Sequence, residues 1–318
     1  MPKPKVMVQS SLDIKAEINR LRKEKNAVIL AHYYQEKAIQ DLADVVGDSL
    51  ELARKAAQTR AQIIVFAGVY FMAETAKILN PHKKVLLPDL RAGCSLADNC
   101  LPDDFAAFKA QYPNHKVVTY INTSAQIKAM SDYVCTSSNA EKIIRSIPEN
   151  QPLLFAPDKN LGAYLNKRTG RNMVLWEGSC IVHEAFSLEK LIDLVVAHPG
   201  AKIVAHPEAE QAVLRIAHAV GSTSQMRKYI INSTATTFIV ATEAGILHQL
   251  SKEVPGKTLI PAPAQQDNSC ACSECAFMKM NTLEKVYRCL RDETPEVTVN
   301  RALAREASKP IERMLQMS

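Results

Sequence analysis

The chain has 318 residues, 47% hydrophobic and 23% charged, ordinary for a globular protein and long enough for two or three domains. No apolar run approaches the ~20 residues of a membrane helix, and the basic start Met1-Pro-Lys-Pro-Lys-Val lacks the apolar stretch of a secretory signal, so a cytoplasmic location is expected. The net charge of +6 comes from scattered Lys and Arg, with no basic stripe and no interleaved aromatics; this argues against a nucleic-acid partner and suits small anionic ligands only weakly.

The first predicted strand, Ala27-Val-Ile-Leu-Ala-His32, ends in the polar cluster His32-Tyr-Tyr34. Ser49 follows 17 residues after His32, at the start of an amphipathic helix over 50–57. A second apolar run, Ile63-Ile-Val-Phe-Ala67, leads into more helix, and a third, Val85-Leu-Leu-Pro88, runs into a loop bearing Cys94. The same order then returns. Val117-Val-Thr-Tyr120-Ile-Asn122 is followed 17 residues after Tyr120 by Ser137, then by Leu153-Leu-Phe-Ala156, Met173-Val-Leu-Trp176 and Cys180. It returns again as Ile203-Val-Ala-His206-Pro-Glu208, with Thr223 17 residues after His206, then Phe238-Ile-Val-Ala241, Leu259-Ile-Pro261 and the run Cys270-Ala-Cys272-Ser-Glu-Cys275. The repeat starts His32, Tyr120 and His206 lie 88 and 86 residues apart, far beyond the period of a solenoid.

Apolar runs alternating with helices predict parallel sheets covered on both faces. The fold class expected is therefore α/β: three pseudo-threefold-related α/β/α sandwich domains with parallel sheets around a central active site. The boundaries read as 1–98, with 276–318 packing on that unit, then 99–184 and 185–275. Ligands of such sheets bind beyond the carboxyl ends of the strands, which would gather His32, Tyr120 and His206 around one cavity. Asp48-x-x-Glu51, Ser138-x-x-Glu141 and Ser222-x-x-Gln225 resemble capping boxes. Ser49, Ser137 and Thr223 then either cap helices or bind anions beside the helix N-termini. Asp48 and Glu243 read as caps, and Trp176 as core. Residues 277–291 and 301–317 read as helices, the latter interrupted at Pro310.

Eight cysteines in a cytosolic chain are more often ligands or redox groups than disulfides. Cys94 and Cys180 sit in glycine-containing loops 86 residues apart, matching the repeat, and the third repeat offers its own thiols. Structural zinc commonly takes paired C-x₂-C knuckles, and that pairing is absent for Cys94 and Cys180. Three thiolates on a [4Fe–4S] cluster would leave one iron open for Lewis-acid chemistry. Cys100, Cys135 and Cys289 read as buried apolar cysteines.

At this point the motifs resemble the quinolinate synthase family over almost the whole chain, about 18–285. They are Ala31-His-Tyr-Tyr-Gln35, Val46-Gly-Asp-Ser-Leu50, Pro88-Asp-Leu-Arg-Ala-Gly-Cys94, Cys135-Thr-Ser-Ser-Asn139, Pro157-Asp-Lys-Asn-Leu-Gly162, Ala205-His-Pro-Glu208, Gly221-Ser-Thr223 and Phe277-Met-Lys-Met-Asn-Thr-Leu-Glu284. The resemblance implies an enzyme of de novo NAD biosynthesis that condenses iminoaspartate (iminosuccinate) with dihydroxyacetone phosphate to quinolinate, releasing phosphate and water. It also implies one [4Fe–4S] cluster per chain, with Cys94, Cys180 and Cys275 as its three ligands and one open iron. Cys275 is chosen because it directly precedes the Ala-Phe-Met-Lys segment; the family's C-x-x-C-x-x-C run is C-x-C-x-x-C here, a departure that bears on any redox pairing with Cys270 and Cys272 more than on the ligand. Tyr34, Tyr120, His206 and Glu208 are the acid–base candidates, with the two tyrosines at an entrance. His32, Ser49, Asn122, Ser137 and Thr223 are the groups to hold carboxylates and phosphate, with Lys279, Asn281 and Thr282 approaching the phosphate. Functional coupling to an aspartate-oxidising enzyme that supplies iminoaspartate follows from the same resemblance. A metal sensor built on these thiols would not need the His, Tyr and Glu side chains at the strand ends.

Overall fold

The computed structural model describes residues 13–264 and 273–318. Within them the apolar runs form three four-stranded sheets. The first contains β1 (Ala27–His32), β2 (Val45–Gly47), β3 (Ile63–Ala67) and β4 (Lys84–Leu86). The second contains β5 (Lys116–Tyr120), β6 (Tyr133–Cys135), β7 (Leu153–Ala156) and β8 (Val174–Leu175). The third contains β9 (Lys202–Ala205), β10 (Ala219–Val220), β11 (Thr237–Ala241) and β12 (Thr258–Pro261). Each sheet is wholly parallel, in the order β2-β1-β3-β4, β6-β5-β7-β8 and β10-β9-β11-β12. The predicted α/β class and the threefold repetition are both present. The strand beside the first in each sheet was not foreseen: β2, β6 and β10 span only two or three residues, too few for a periodic signal.

Burial on both faces follows from side-chain alternation along each strand. On β1, Leu30 points into a core with Leu52 and Phe66, whereas Ile29 and Ala31 point into another with Ile18, Leu21 and Leu290. On β11, Phe238 and Val240 pack with Met226 and Ile246, while Ile239 and Ala241 pack with Leu191 and Val213. The largest core is continuous from the first unit to the second, running from Leu30 and Phe66 through Val118 and Phe155 to Met314. A fully buried aliphatic or aromatic side chain is worth roughly 1.5–3 kcal/mol, so this shared core holds the two units together. The third unit has its own cores, one of which takes in Tyr33 from the first.

The chain after the third unit divides its packing. Helix Leu283–Asp292 buries Val286 and Leu290 against the first sheet's outer core. Helix Arg301–Gln316 instead inserts Ile311 and Met314 into the core shared by the first and second units, and Arg313 donates to the Asp132 carbonyl at 2.7 Å. That helix runs unbroken through Pro310, whereas the expected helix over 277–291 opens as a 3₁₀ turn, Met278–Met280. Trp176 is half-buried rather than fully enclosed and stacks edge-on against Phe105 and Phe108. Among the described residues no helix is long and apolar enough to cross a membrane.

Two of the three predicted capping boxes form. Asp48 caps helix Ser49–Gln58 with Glu51 returning the bond, and Ser222 caps helix Thr223–Asn232 with Gln225. The second does not: helix Ala140–Ser146 starts from Asn139, and Ser138 turns away from it. Its hydroxyl meets the Asp48 carboxylate at 2.8 Å and the Ser222 hydroxyl at 2.8 Å. The three equivalent positions thus close on one another where the units meet.

Candidate active site

Parallel strands end on the same side of a sheet, and the central strand of each unit delivers its polar end to one cavity of about 70 Å³. Each unit contributes a pair of side chains two residues apart: His32 and Tyr34 at the end of β1, Tyr120 and Asn122 at the end of β5, His206 and Glu208 just after β9. All twelve candidate residues of the sequence reading line this cavity.

The two histidines are held alike. The amide of Tyr34 donates to His32 Nδ1 at 3.2 Å, and the amide of Glu208 donates to His206 Nδ1 at 3.4 Å. With Nδ1 accepting, the ring proton sits on Nε2, and His206 Nε2 donates to Ser137 Oγ at 3.1 Å. Burial pushes both imidazoles down to about 4, with acidic neighbours opposing the shift. Both are therefore uncharged at neutral pH. Burial would raise the Glu208 carboxyl, yet the histidines around it and a hydrogen bond from Tyr120 hold it below the usual carboxylate range. Because His206 is uncharged at neutral pH, hydrogen bonds from Tyr120 and His183 account for the carboxylate better than ion pairing does. Tyr34 and Tyr120 are enclosed rather than at an entrance, and burial keeps both phenols protonated well above their ordinary range. Asn122 Oδ1 is buried with no hydrogen-bond partner among the described residues, an acceptor left over for a ligand.

The hydroxyl residues do not cap. Ser49 and Thr223 are the first residues of their helices, one beyond the caps Asp48 and Ser222, and both line the cavity. Ser137 lies in the turn before helix Ala140–Ser146.

The three cysteines follow the fourth strand of each unit, β4, β8 and β12. Gly93 precedes Cys94 because a Cβ there would lie 2.5 Å from Asp98 Oδ2, the atom that accepts from the Cys94 amide at 3.0 Å. Gly178 is needed because a Cβ would lie 2.4 Å from the Pro157 carbonyl, to which the backbone closes in a parallel bridge at Asp158. Backbone N–H groups of Leu96 and Ala97 point at the Cys94 sulfur, that of His183 at Cys180, and those of Phe277 and Met278 at Cys275. Burial nevertheless pushes Cys94 up to about 12 and raises Cys180 and Cys275. Three thiolates at this place therefore need a positively charged partner, and amide donors at each sulfur suit one that carries sulfur-rich ligation. Cys100, Cys135 and Cys289 are buried in cores away from the cavity. Cys270 and Cys272 lie outside the described residues.

Several site residues escaped the sequence reading. His183, on the short helix Ile181–Glu184, places Nδ1 3.2 Å from Cys180 Sγ and 2.8 Å from Glu208 Oε2, so that Cys180, His183 and Glu208 converge. The Cys-x-x-His spacing was the available signal, since positions three apart on a helical turn share a face. Glu243 caps no helix: it pairs with Lys279 Nζ at 2.9 Å and accepts from the amides of Gly245 and Cys275. Lys279 also donates to the Tyr34 carbonyl at 2.8 Å, Asn281 donates to the Gly68 carbonyl, and Thr282 caps helix Leu283–Asp292. These three residues thus serve the framework rather than facing the cavity.

The sequence also aligns with known proteins. The profile of the family described as Quinolinate synthetase A protein matches residues 16–316. The quinolinate synthase of Microcystis aeruginosa is 62% identical over 306 residues, covering 96% of this chain and 95% of that protein. That of a Nostoc species is 61% identical over 96% of this chain and 94% of the relative, and that of Chloroherpeton thalassium 59% identical over 97% and 96%.

Proposed function

The chain belongs to the quinolinate synthase family, and from that premise we propose that its central cavity condenses iminoaspartate with dihydroxyacetone phosphate to quinolinate, with loss of phosphate and water. The observation that carries the reading is the meeting, in one enclosed space, of three thiols and three strand-end pairs supplied by three different units. The donor set fits a [4Fe–4S] cluster held by Cys94, Cys180 and Cys275. Such a cluster, with one iron free of protein ligands, supplies a Lewis acid for a substrate hydroxyl or carbonyl oxygen.

The protein's own groups do the rest. Ser49, Ser137 and Thr223, near helix N-termini, offer hydroxyl donors to carboxylate and phosphate oxygens. Asn122 offers its unpartnered Oδ1 to an N–H of the imine or amine, His32 offers Nε2–H to substrate oxygens, and His206 orients the Ser137 hydroxyl. Glu208, ionised within a buried hydrogen-bonded nest, is the group to take a carbon-bound proton as a hydroxyl departs. Tyr120, hydrogen-bonded to Glu208 and protonated, keeps that carboxylate oriented and can return a proton to a leaving oxygen. Enclosure of the site excludes bulk water from steps that eliminate it. We also place the enzyme in the cytoplasm, coupled to an aspartate-oxidising enzyme as the source of its unstable imine.

Anaerobic purification with iron and sulfide analysis, followed by incubation with iminoaspartate and dihydroxyacetone phosphate, tests the reading. Iron with matching sulfide and formation of quinolinate are expected. The converging Cys180, His183 and Glu208 favour one alternative, a single bound metal such as zinc; zinc without sulfide, and no quinolinate, would establish it instead.

A further inference from the structure

Lys128 lies on the short helix Ala125–Ala129 and is among the largest side chains that the fold encloses completely. A lysine is almost never buried to this degree without a partner for its charge. Among the described residues its ammonium has one hydrogen-bond acceptor, the carbonyl of Thr123, and it stands 5.5 Å from the centre of the Phe71 ring. Both contacts lead to the site. Phe71 lines the cavity, and Thr123 directly follows Asn122, whose unpartnered Oδ1 is the acceptor left for a ligand.

The segment that Lys128 holds has no regular structure of its own: beyond β5 the chain bends through residues 121–123 before the helix begins. Two bonds shape the bend from within. The Thr123 amide donates to the Ile121 carbonyl at 2.8 Å, and the Thr123 hydroxyl donates to the Tyr120 carbonyl at 3.2 Å. Two more contacts tie it to helix Tyr70–Leu79 of the first unit. Phe71 and Glu74, three apart on one face of that helix, meet the Lys128 ammonium and the Ala125 amide respectively, the amide donating to Glu74 Oε2 at 2.7 Å. Burial lowers the Lys128 ammonium to about 8, with Glu74 and Cys94 opposing, and raises the Glu74 carboxyl, with Lys128 and the Ala125 amide opposing. The ammonium is thus still charged at neutral pH. An uncharged methionine would fill the same space without the desolvation of a charge, so packing alone does not account for a lysine here.

Resting on the quinolinate synthase reading above, we propose that Lys128 is a positioning residue for iminoaspartate: by tying the Thr123 carbonyl to the first unit, it fixes the bend on which Asn122 presents Oδ1 to the substrate. Asn122 Oδ1 has no partner in the fold, so its place before substrate arrives depends on that bend. Loss of the ammonium releases the Thr123 carbonyl and lets the bend relax. The effect falls on the substrate whose N–H Asn122 meets and spares the phosphate-bearing one, because small misplacements weaken the contact they displace.

The test compares anaerobically prepared full-length wild type, Lys128→Met, Asn122→Ala, and the double variants Lys128→Met/Asn122→Ala and Glu74→Gln/Lys128→Met. Lys128→Met keeps the length and loses the donor. It should raise KM for iminoaspartate about 10-fold, leave KM for dihydroxyacetone phosphate and kcat within a few-fold, and keep wild-type iron and sulfide. In the Asn122→Ala background the methionine should add little, because the group it acts through is already gone. Glu74→Gln/Lys128→Met removes both buried charges while the glutamine still accepts the Ala125 amide. Its urea midpoint should return towards the wild-type value, yet KM for iminoaspartate should stay raised. If Lys128→Met does not fold, this charge-free variant makes the same comparison of the two KM values. Wild-type KM for iminoaspartate overturns the proposal. So does an equal rise for both substrates, full additivity with Asn122→Ala, loss of iron, or a KM that recovers together with the midpoint, which would leave Lys128 only a charge partner of Glu74. Absence of quinolinate with the wild-type enzyme overturns the functional reading itself and this role with it.

Discussion

The first and third units end their central strands with the same backbone device and different chemistry. His32 and His206 each accept, at Nδ1, the amide of the residue two positions on, and burial brings each imidazole to about the same low proton affinity. What differs is the residue that supplies the amide: a phenol, Tyr34, in one unit and a carboxylate, Glu208, in the other. Repetition of the fold thus fixes where polar groups stand, while the residue two positions beyond the strand end decides what each can do. Features shared by the two units should respond alike to substitution, and features that separate them should not.

The largest effect is expected of a shared feature. Cys94 belongs to the first unit and Cys275 to the third, and both sulfurs face the cavity beneath amide donors. Cys94→Ser and Cys275→Ser should each lose the cluster and all measurable turnover, as should Cys180→Ser, while Cys100→Ser and Cys289→Ser keep both. Iron and sulfide content after anaerobic preparation decides this; a full complement in all three cavity variants would remove the ligand assignment.

The contrast itself is tested by Glu208→Gln. Glutamine keeps the shape and a hydrogen-bond acceptor but cannot take a proton. Turnover should fall by about 10²–10⁴ with iron content and substrate binding retained. Near-normal turnover with a full cluster would mean that the carboxylate only anchors His206 and His183, and the third unit would then be no more chemical than the first.

Protonation should bring the two units back together. An unfolded imidazole titrates near 6.5, whereas His32 and His206 titrate at about 4 in the folded chain. Between these values the unfolded chain binds more protons, so stability is full above about pH 6.5 and falls as pH drops towards 4. Each ring accounts for about 3 kcal/mol across that window. Urea unfolding at pH 7 and pH 4.5 should show the loss, and His32→Gln and His206→Gln should each flatten it by a similar amount. A pH-independent midpoint in the wild type would show that the rings are not held neutral.

The threefold order of strands was legible because it rests on composition and period, and long aliphatic runs such as Ile63–Ala67 state both faces of a sheet at once. The twelve cavity residues were legible because each recurs at a matching offset or in a family motif. His183 was missed: its spacing from Cys180 has no counterpart in the other repeats, and its second partner, Glu208, comes from another unit. Ser138 misled in the opposite sense, since its local spacing fits a capping box and only tertiary contacts draw the hydroxyl elsewhere.

Ser49 and Thr223 offer a further comparison between the same two units, each one residue beyond a working cap. Ser49→Ala and Thr223→Ala, with Ser137→Ala, should weaken substrate binding by roughly 1.5–3 kcal/mol per lost bond to a charged group and leave the cluster intact. Thr223→Ala should also disturb kcat, because Thr223 is hydrogen-bonded to the Tyr34 hydroxyl, whereas among the described residues Ser49 has no such tie to a phenol. Equal KM in the wild type and all three variants would return these hydroxyls to helix architecture.

The smallest effect is expected where the second unit joins the other two. Asp48 of the first unit and Ser222 of the third each cap their own helix, and Ser138 of the second bridges them. One hydroxyl has one hydrogen, so Ser138 donates to the Asp48 carboxylate and accepts from Ser222, whose oxygen in turn accepts the Gln225 amide at 3.3 Å. Ser138→Ala removes both contacts and should cost on the order of 1–2 kcal/mol in unfolding free energy. Aspartate at this position separates bridging from capping. It is as good an N-cap as serine, so a capping role predicts that Ser138→Asp is tolerated. In the bridge the new carboxylate would face the Asp48 carboxylate, two like charges in a partly buried contact, and should destabilise more than alanine does. Urea midpoints of the two variants settle the matter: an aspartate variant as stable as the wild type would mean that Ser138 caps its own helix and does not bridge the other two caps.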